Sequence, residues 1–406
     1  MVEYSVREEC LDLGPSNRVL ILTDLHAHEY RPFSTPTAEG VGSRFLWVLK
    51  ALNTIFQYAL DNQIQHIFFL GDVFHHRTVM YSIVFEKIAC AIEEAAKKGL
   101  KLHFILGNHD FIFSNDASPS LIRNIKGIDV IDSPTLYGLR NLDDKIAAMK
   151  FYFNPELMIE ELIELNKATK ERTSHLPDNT VCNHTLLGHF ELIGAKVSDE
   201  YVLKEPVSPA VFDPTIFNHI CSGHIHKAQV LQSPNNKKAV NFVGTPLQHR
   251  FNDEGNPFGF VVLDFSKHTS NKFLNYIPLD TLGKFPVFRT EVFESQEQVK
   301  AFMNDSANKA RFDIDYFRIQ SDNPELKLEP LFKRLTNYRY EDKGTVLQQD
   351  TEESDTNADL KFNLDINTYM ELYIKEQRIH EDMDWIDKEK MNEFLDRVRV
   401  KGNIVQ

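Results

Sequence analysis

The sequence has little cysteine, no long apolar run and no excess of positive charge. The four cysteines are Cys10, Cys90, Cys182 and Cys221. They lie far apart with no Cys-x-x-Cys pair, which predicts buried, reduced thiols rather than a disulfide framework or a zinc finger. No stretch approaches the roughly 18 uninterrupted apolar residues of a membrane span, and the first 17 residues are acidic and polar. We therefore expect a cytoplasmic protein that does not enter a membrane.

The net charge of −14 argues against a protein that coats nucleic acid nonspecifically. The charge is uneven, because residues 341–406 hold 17 acidic and 9 basic side chains, a net −8. The first 340 residues carry only the remaining −6, so a small basic cleft among them is compatible with the sequence. With 42% hydrophobic and 26% charged residues over 406 positions, the chain is predicted to be globular with two or three domains.

Short apolar runs alternate with helical patterns over the first 265 residues. The predicted buried strands are Val19–Thr23, His66–Leu70, Lys101–Leu106, Thr185–Leu187 and His219–Cys221. Apolar residues at spacings of three and four predict helices over Phe45–Ala59 and Val84–Ala95. This order indicates βαβ units, hence an α/β fold around a partly parallel sheet. Ala239–Val243 and Gly259–Phe265 are expected to add two antiparallel strands that flank the core.

The remaining chain divides into three predicted parts after a main domain of residues 1–280. Residues 281–340 alternate strands and helices and predict a small α+β unit. Residues 341–365 contain eight acidic and two basic side chains with few apolar anchors, which is typical of a solvated linker. Residues 366–406 carry two apolar helical stripes. These helices either fold back onto the main body or dock on a partner.

Five polar motifs follow predicted strands. They are Asp24-Leu25-His26, Gly71-Asp72, Gly107-Asn108-His109-Asp110, Gly188-His189 and Gly223-His224-Ile225-His226. Each motif alone is weak, since strand-end Asp and Gly-Asp are also common in turns. Together they occupy the carboxyl ends of strands, where an open α/β sheet binds its ligands. Nitrogen and oxygen donors without a thiolate suit Mn, Fe or Zn, and seven donors exceed the need of one ion. A shared Asp72 would let two ions lie about 3.5 to 4 Å apart, the separation used for displacement at phosphorus.

This motif series resembles that of the calcineurin-like metallophosphoesterases, over roughly residues 18–265. The resemblance implies a β-sandwich flanked by helices. It assigns one metal to Asp24, His26, Asp72 and His226, and the other to Asp72, Asn108, His189 and His224. It also implies that His109, paired with Asp110, orients the phosphate and protonates the leaving oxygen, a proton that the metals themselves do not supply. Mn²⁺ is the expected ion, with Mg²⁺, Fe or Zn as alternatives.

Within that superfamily the chain is more similar to the SbcD-type DNA repair nucleases and their bacteriophage recombination endonuclease subunits. The segments that carry this likeness are Gly223–Lys227, Asn241–Pro246 and Gly259–Phe260. The resemblance implies that residues 281–340 form a capping domain and that residues 366–406 bind an SbcC-like coiled-coil ATPase. It also implies DNA as substrate, a homodimer with Ile83–Ala96 as a guess for its surface, and host cytoplasm if the chain is phage-encoded.

The same resemblance makes His75 a second active-site histidine, although other relatives have aspartate at that position. Arg77, Lys227 and Arg250 lie near the motifs and are candidates to neutralise DNA phosphates, with solvated surface charges as the alternative. The loop of residues 31–42 is longer than some members need and is a candidate to shape substrate access. Leu25 replaces the tryptophan of many relatives, which leaves the ligands unchanged.

Two other functions remain open from the sequence. One is a phosphomonoesterase or cyclic-nucleotide phosphodiesterase of the same fold, which would need neither the capping domain nor the C-terminal helices. Protein Ser/Thr phosphatases of this fold read Gly-Asp-x-x-Asp-Arg-Gly, whereas this chain has His75 and His76 after Gly71-Asp72. The other is a non-catalytic scaffold, in which missing ligands would be expected, and none is missing.

Overall fold

The computed structural model describes residues 6–342 except 178–181, 199–200, 205–206, 214, 233–238, 268–272, 322, 324–325, 327–331 and 333–336. The predicted C-terminal helices of residues 366–406 and nearly all of the predicted linker lie outside the described residues. In the described part, no helix is both long enough and apolar enough to cross a bilayer.

The described chain contains sixteen strands and five α-helices. The strands are β1 (Arg7–Leu11), β2 (Arg18–Leu22), β3 (His66–Phe69), β4 (Lys101–Ile105), β5 (Ile128–Ile131), β6 (Thr135–Leu139), β7 (Lys145–Ala148), β8 (Thr185–His189), β9 (His219–Gly223), β10 (Gln229–Gln232), β11 (Ala239–Phe242), β12 (Gly259–Asp264), β13 (Leu274–Pro278), β14 (Phe288–Phe293), β15 (Tyr316–Ser321) and β16 (Tyr338–Asp342). The helices are α1 (Ser43–Asp61), α2 (Ser82–Lys97), α3 (Pro155–Thr173), α4 (Gln296–Asn304) and α5 (Ser306–Lys309).

Two large sheets form a sandwich. One sheet has the order β1-β6-β7-β8-β9-β11-β10 and the other β13-β12-β2-β3-β4-β5. A core between them joins apolar side chains of both sheets, such as Ile21 and Phe68 from one and Tyr137 and Leu187 from the other. Helices α1 and α2 cover the outer face of the six-stranded sheet, and α3 covers that of the seven-stranded sheet. The predicted β-sandwich flanked by helices is confirmed.

The central strands are buried on both faces, which explains their unbroken apolar sequence. In β2, Val19 and Ile21 face the core between the sheets, while Leu20 and Leu22 pack under α1 and α2. Strands β2, β3, β4 and β5 pair in parallel, and the pairing of β3 with both of its neighbours begins at His66. Their carboxyl ends therefore lie along one edge of the sheet.

A third sheet of three parallel strands, β14-β15-β16, follows the sandwich. It has its own small apolar core, which includes Phe293, Val299, Phe317 and Ile319. This small sheet corresponds to the predicted capping unit, and its last strand runs to Asp342. The domain boundaries themselves stay predictions.

Two expectations are corrected. The strand predicted at Ala239–Val243 is not a flanking antiparallel strand: it pairs in parallel with β9 and antiparallel only with β10, because the chain re-enters the sheet after the β9–β10 turn. Of the free cysteines, Cys182 and Cys221 are buried as expected, but Cys10 and Cys90 are exposed.

Candidate metal centre

The predicted ligands all follow or end a strand. Asp24 and His26 come just after β2, Asp72 after β3 and Asn108 after β4, while His189 ends β8 and His224 and His226 follow β9. The two sheets bring these five chain segments to one edge of the sandwich. The contacts among these ligands join residues as much as 200 positions apart in sequence.

The turns that carry the ligands have unusual backbone conformations. Four of these residues have positive φ: Asp24 (52°), His26 (44°), Asp72 (55°) and His224 (84°). Such conformations cost on the order of 1 to 3 kcal/mol each for residues other than glycine, and they concentrate at functional sites. Gly71, with φ of 95°, passes so close to β4 that a Cβ atom there would lie 2.5 Å from the Cα of Gly107. Glycine in the Gly-Asp motif is therefore required by this close approach.

The first cluster consists of Asp24, His26 and His226. The Nε2 atoms of His26 and His226 are 3.0 Å apart, and Asp24 Oδ1 lies 3.7 Å from His26 Nε2. One ligand atom from each of the three residues falls within 4.8 Å of the other two. Asp24 Oδ1 is buried without a hydrogen-bond partner among the described residues.

The second cluster consists of Asn108, His189 and His224. Asn108 Oδ1 lies 2.9 Å from His189 Nε2 and 3.1 Å from His224 Nδ1. Asp72 lies between the two clusters, because its Oδ2 atom is 3.7 Å from His26 Nε2 and 3.4 Å from His189 Nε2. Asp72 is thus within reach of both clusters, as a shared ligand requires.

The electrostatics of these clusters favour added positive charge. Burial raises the pKa of Asp24 to about 7, with a further contribution from the carboxylate of Asp72. Burial alone would lower the pKa of His189, but Asp72 and Asp24 raise it to about 9. Burial holds the pKa values of His26 and His226 well below the usual range and lowers that of His224 to about 3. Buried imidazoles and carboxylates are a donor set that fits divalent cations.

The expected pairing of Asp110 with the ring of His109 is wrong. The carboxylate of Asp110 accepts the backbone N–H groups of Asp72, Gly107 and Val73, at 2.7, 2.9 and 3.0 Å. His109 Nδ1 instead lies 2.5 Å from the carbonyl oxygen of His75, to which it donates. Asp110 therefore holds the turns after β3 and β4 together, and His109 is held at Nδ1 by the carbonyl oxygen of His75.

His75 also lies at the centre. Its Nδ1 atom is 3.4 Å from Nδ1 of His26, and its ring stacks 5.9 Å from that of His109. Burial, reinforced by His109, lowers the pKa of His75 to about 2. The structure thus brings His75 close to His109. The shorter contact with His109 is made by the carbonyl group of His75 and not by its ring.

The three basic candidates are partly buried rather than fully solvated. Arg77 donates to Ser114 Oγ at 2.5 Å and lies 5.3 Å from the ring of Phe153. The charge of Arg250 contributes to the low pKa of His226, which puts this guanidinium near the first cluster. Lys227 directly follows the ligand His226 and is half-buried.

Sequence reasoning missed several residues around the ligands. His249 Nε2 donates to the carbonyl oxygen of Asp24 at 3.2 Å, and the Tyr30 hydroxyl donates to that of His26 at 2.6 Å. Asp253 Oδ1 lies 3.9 Å from His226 Nδ1. His28 and His76 meet through their Nε2 atoms at 3.3 Å. The i, i+2 spacing of His26 and His28 is the one local signal that could have drawn attention to this set.

The chain is similar to several known proteins. Exonuclease subunit 1 of Enterobacteria phage T4 is 24% identical over 253 residues, which span 60% of this chain and 65% of that relative, just under two thirds of its length. A dimetal phosphatase from Danio rerio aligns with 62% of this chain and 93% of its own at 8% identity and a TM-score of 0.39. The E. coli phosphoesterase YfcE aligns with 66% of this chain and 95% of its own at 12% identity and a TM-score of 0.32.

A family model described as calcineurin-like phosphoesterase matches residues 17–228, just over half of the chain. That range ends directly after the last predicted ligand, His226, and it includes all five motifs. The calcineurin-like fold binds two divalent metal ions, and the described residues include candidate ligand groups around Asp24, His26, Asp72, His189 and His226. The chain belongs to the calcineurin-like phosphoesterase family, whose members are metal-dependent phosphoester hydrolases.

Proposed function

We propose that the chain is the nuclease subunit of an SbcCD-like DNA repair and recombination complex, cleaving phosphodiester bonds at DNA ends with two divalent ions, Mn²⁺ first among them. The observation that carries the proposal is Asp72, which lies between two three-residue donor clusters. The phage relative named an exonuclease subunit supports DNA as the substrate and assembly with a partner. Such a substrate implies a cytoplasmic location, in the host if the chain is phage-encoded.

Each residue has a proposed role. Asp24, His26, Asp72 and His226 hold one ion, and Asp72, Asn108, His189 and His224 hold the other. When bound, the ions neutralise the phosphate and activate water. His109, held at Nδ1 by the carbonyl oxygen of His75, donates a proton from Nε2 to the leaving oxygen. The ring of His75 stacks alongside and helps to orient the phosphate.

The substrate is tested with three compounds under matched metal conditions: linear duplex DNA, single-stranded DNA and p-nitrophenyl phosphate. We expect Mn²⁺-dependent cleavage of DNA at far higher kcat/KM than of the small phosphate ester. Efficient turnover of p-nitrophenyl phosphate without DNA cleavage would support a phosphomonoesterase instead. No hydrolysis of any of them with both ions bound would indicate a scaffold.

The DNA contacts are tested by replacing Arg77, Lys227 and Arg250 together with glutamine. We expect weaker DNA binding and a salt dependence reduced by about one unit of slope for each lost phosphate contact. A matched control replaces Lys97, Lys101 and Lys126, which line a surface cavity of about 700 Å³ among the amino ends of β3 and β4. Equal loss in both triple variants would contradict the assigned DNA path.

The partner is tested by truncating the chain before Asp365. We expect a folded, metal-binding enzyme that no longer associates with a coiled-coil ATPase, because the two apolar helical stripes lie beyond that point. Replacing Tyr369 and Trp385 in the full chain should reproduce the loss. Wild-type co-purification of the truncated chain, or loss of its metals, would contradict this part of the proposal. The homodimer through Ile83–Ala96 is tested by sedimentation of variants on that helix.

A further inference from the structure

The segment of residues 248–254, here called the relay segment, lies between the first metal cluster and the small sheet. Towards the cluster, His249 Nε2 donates to the Asp24 carbonyl oxygen at 3.2 Å. Asp253 directs Oδ1 towards His226 Nδ1 at 3.9 Å, while its Oδ2 accepts the backbone N–H of His249 at 2.9 Å. His226 Nδ1 is buried and has no hydrogen-bond partner in the described part of the chain. Asp253, buried beside it, therefore offers an acceptor for this nitrogen.

On its other side the relay segment is bound by the small sheet. Gln248 Oε1 accepts the backbone N–H of Phe288 at 2.9 Å. The carboxylate of Glu254 accepts both the N–H and the hydroxyl of Thr290, each at 2.6 Å. The guanidinium of Arg318 lies 4.1 Å from the ring of Phe251. Hydrogen bonds and ring contacts from β14 and β15 thus fix where the relay segment lies.

Arg44, on helix α1, also contacts the relay segment. Arg44 is 4% exposed, and its guanidinium donates to the His249 carbonyl oxygen at 2.6 Å. It lies 4.3 Å from the ring of Tyr30 and 5.1 Å from that of Tyr316 on the small sheet. Tyr30 in turn donates to the carbonyl oxygen of His26. One buried cation therefore touches the relay segment, the loop that follows β2 and the small sheet.

Among the described residues, the hydrogen bonds of His249 and Tyr30 go directly to residues of the first cluster. Asp24 and His26 both have positive φ, and their carbonyl groups are the ones held by His249 and Tyr30. In the second cluster, His189 Nδ1 donates to Leu70 O at 2.6 Å, and the ring of His224 stacks on Phe151. Two clusters of similar composition are thus supported by different parts of the molecule.

We propose that Asp253 and His249 are positioning residues for the first cluster, and that the small sheet sets their position through Gln248, Glu254 and Arg44. Asp253 accepts the Nδ1–H that His226 carries when Nε2 binds the metal, as carboxylates do for metal-bound histidines elsewhere. The affinity of one of the two ions then depends on contacts with the small sheet, while that of the other does not. This inference rests on the proposed function in that the clusters bind metal ions.

The test is titration of metal-free, full-length protein with Mn²⁺, with free Mn²⁺ counted by electron paramagnetic resonance. Wild type is expected to bind two ions per chain. Asp253→Asn is expected to weaken one ion 10-fold to 100-fold, the usual effect of losing such a partner, and to leave the other within 2-fold. Thermal unfolding without metal should be close to wild type, because asparagine retains the acceptor for the His249 N–H.

A second pair of variants tests the connection to the small sheet without altering any group near the metal. Glu254→Ala removes both contacts to Thr290, and Glu291→Ala, its matched control, removes only an ion pair with Arg289 inside the small sheet. We expect Glu254→Ala to weaken the same single ion about 3-fold to 10-fold and Glu291→Ala to change neither. These variants keep the proposal testable if Asp253→Asn fails to fold.

Equal weakening of both ions in Asp253→Asn, or no weakening in both Asp253→Asn and Glu254→Ala, would overturn the proposal. An equal effect of Glu254→Ala and Glu291→Ala would also contradict it. Absence of Mn²⁺ binding to wild type would instead overturn the proposed function, so the two failures are distinguishable.

Discussion

The two ends of the parallel strands β2 to β5 both bury histidines and aspartates, yet they differ in how these groups meet. At the amino ends, His66 on β3 lies beside His103 on β4, and Asp129 on β5 lies beyond it. At the carboxyl ends lie the two donor clusters around Asp72. Burial of ionisable residues is common to both ends, so burial alone does not identify the functional site.

At the amino ends, donors meet acceptors throughout. His66 Nε2 donates to the carbonyl oxygen of Asp12 at 3.0 Å, and its Nδ1 is 2.9 Å from His103 Nε2. The contacts to Asp129 come from His103 Nδ1 at 2.9 Å, the Tyr137 hydroxyl at 2.7 Å and Arg7 Nη2 at 2.8 Å. The imidazole nitrogens of His66 and His103 and the carboxylate of Asp129 thus all have polar partners, as in a structural network.

At the carboxyl ends, not every buried acceptor meets a donor. Asp24 Oδ1 has no donor among the described residues, and Asp72 Oδ2 faces imidazole nitrogens at 3.4 and 3.7 Å. The ligand residues there also adopt positive φ, whereas none of the residues in the opposite network does. Unsatisfied lone pairs on strained turns are the combination that distinguishes a binding site from a stabilising network.

The largest expected difference between the two ends is in activity. Asp72→Ala should lower hydrolysis by more than about 10³-fold, because it removes the carboxylate between the two clusters and with it the charge stabilisation of the transition state. Asp129→Ala, at the other end, should stay within threefold of wild type under conditions where it is folded. Initial rates on duplex DNA measure both. Activity of Asp72→Ala within tenfold of wild type, with metal bound, would contradict the shared-ligand assignment.

The next largest effect separates catalysis from metal binding within the carboxyl end. His109→Ser should lose about 10²-fold to 10⁴-fold in turnover, because proton transfer to the leaving oxygen is lost. Both ions and DNA affinity should be retained. Single-turnover cleavage and metal analysis of the same sample measure the two properties. An empty metal position in this variant would make His109 a ligand instead.

A smaller effect concerns stability, and it has opposite signs at the two ends. Asp129→Asn should lower the free energy of unfolding by about 2 to 3 kcal/mol, because it weakens charged hydrogen bonds in a satisfied network. Asp24→Asn, measured in chelator, should raise it by about 1 kcal/mol, since an ionised carboxylate is costly there and sites of function carry such costs. Urea unfolding measures both values. Destabilisation of equal size in both variants would remove the distinction between the two ends.

The smallest effect is a pH dependence at the amino ends. Burial alone would raise the pKa of Asp129, but hydrogen bonds from His103 and Tyr137 and the charge of Arg7 lower it to about 2. The stabilisation by its ionised form is therefore complete above the unfolded pKa of about 3.9 and is lost as the pH falls towards 2. The stability difference between wild type and Asp129→Asn should shrink by on the order of 1 kcal/mol over that window. A constant difference would show that the carboxylate keeps no depressed pKa.

The sequence was sufficient to predict the elements whose local hydrophobic pattern matches their burial in the fold. Strands buried on both faces, such as β2 and β3, have unbroken apolar runs, and the ligand motifs sit at their ends. Strands β5 to β7 were not predicted because they are short and contain polar residues. The hydrogen-bond partners of such residues are distant in sequence, as Arg7 is from Asp129. Helix α3 was also missed, although Met158, Leu162 and Leu165 repeat at helical spacing.

The residues that hold the ligands in place could not be predicted from local sequence patterns. His249 contacts Asp24 across 225 positions, and Asp253 and Tyr30 have no motif of their own. The pairing of Asp110 with His109 was implied by the family resemblance. In the turn after β4 the two side chains point to different groups, which the sequence motif does not show.

The central claim is that two ions bind on either side of Asp72, and anomalous scattering from crystals grown with Mn²⁺ tests it most directly. The account predicts two peaks about 3.5 to 4 Å apart, one against Asp24, His26 and His226 and the other against Asn108, His189 and His224, with Asp72 contacting both. A single peak, or peaks that Asp72 does not contact, would contradict it.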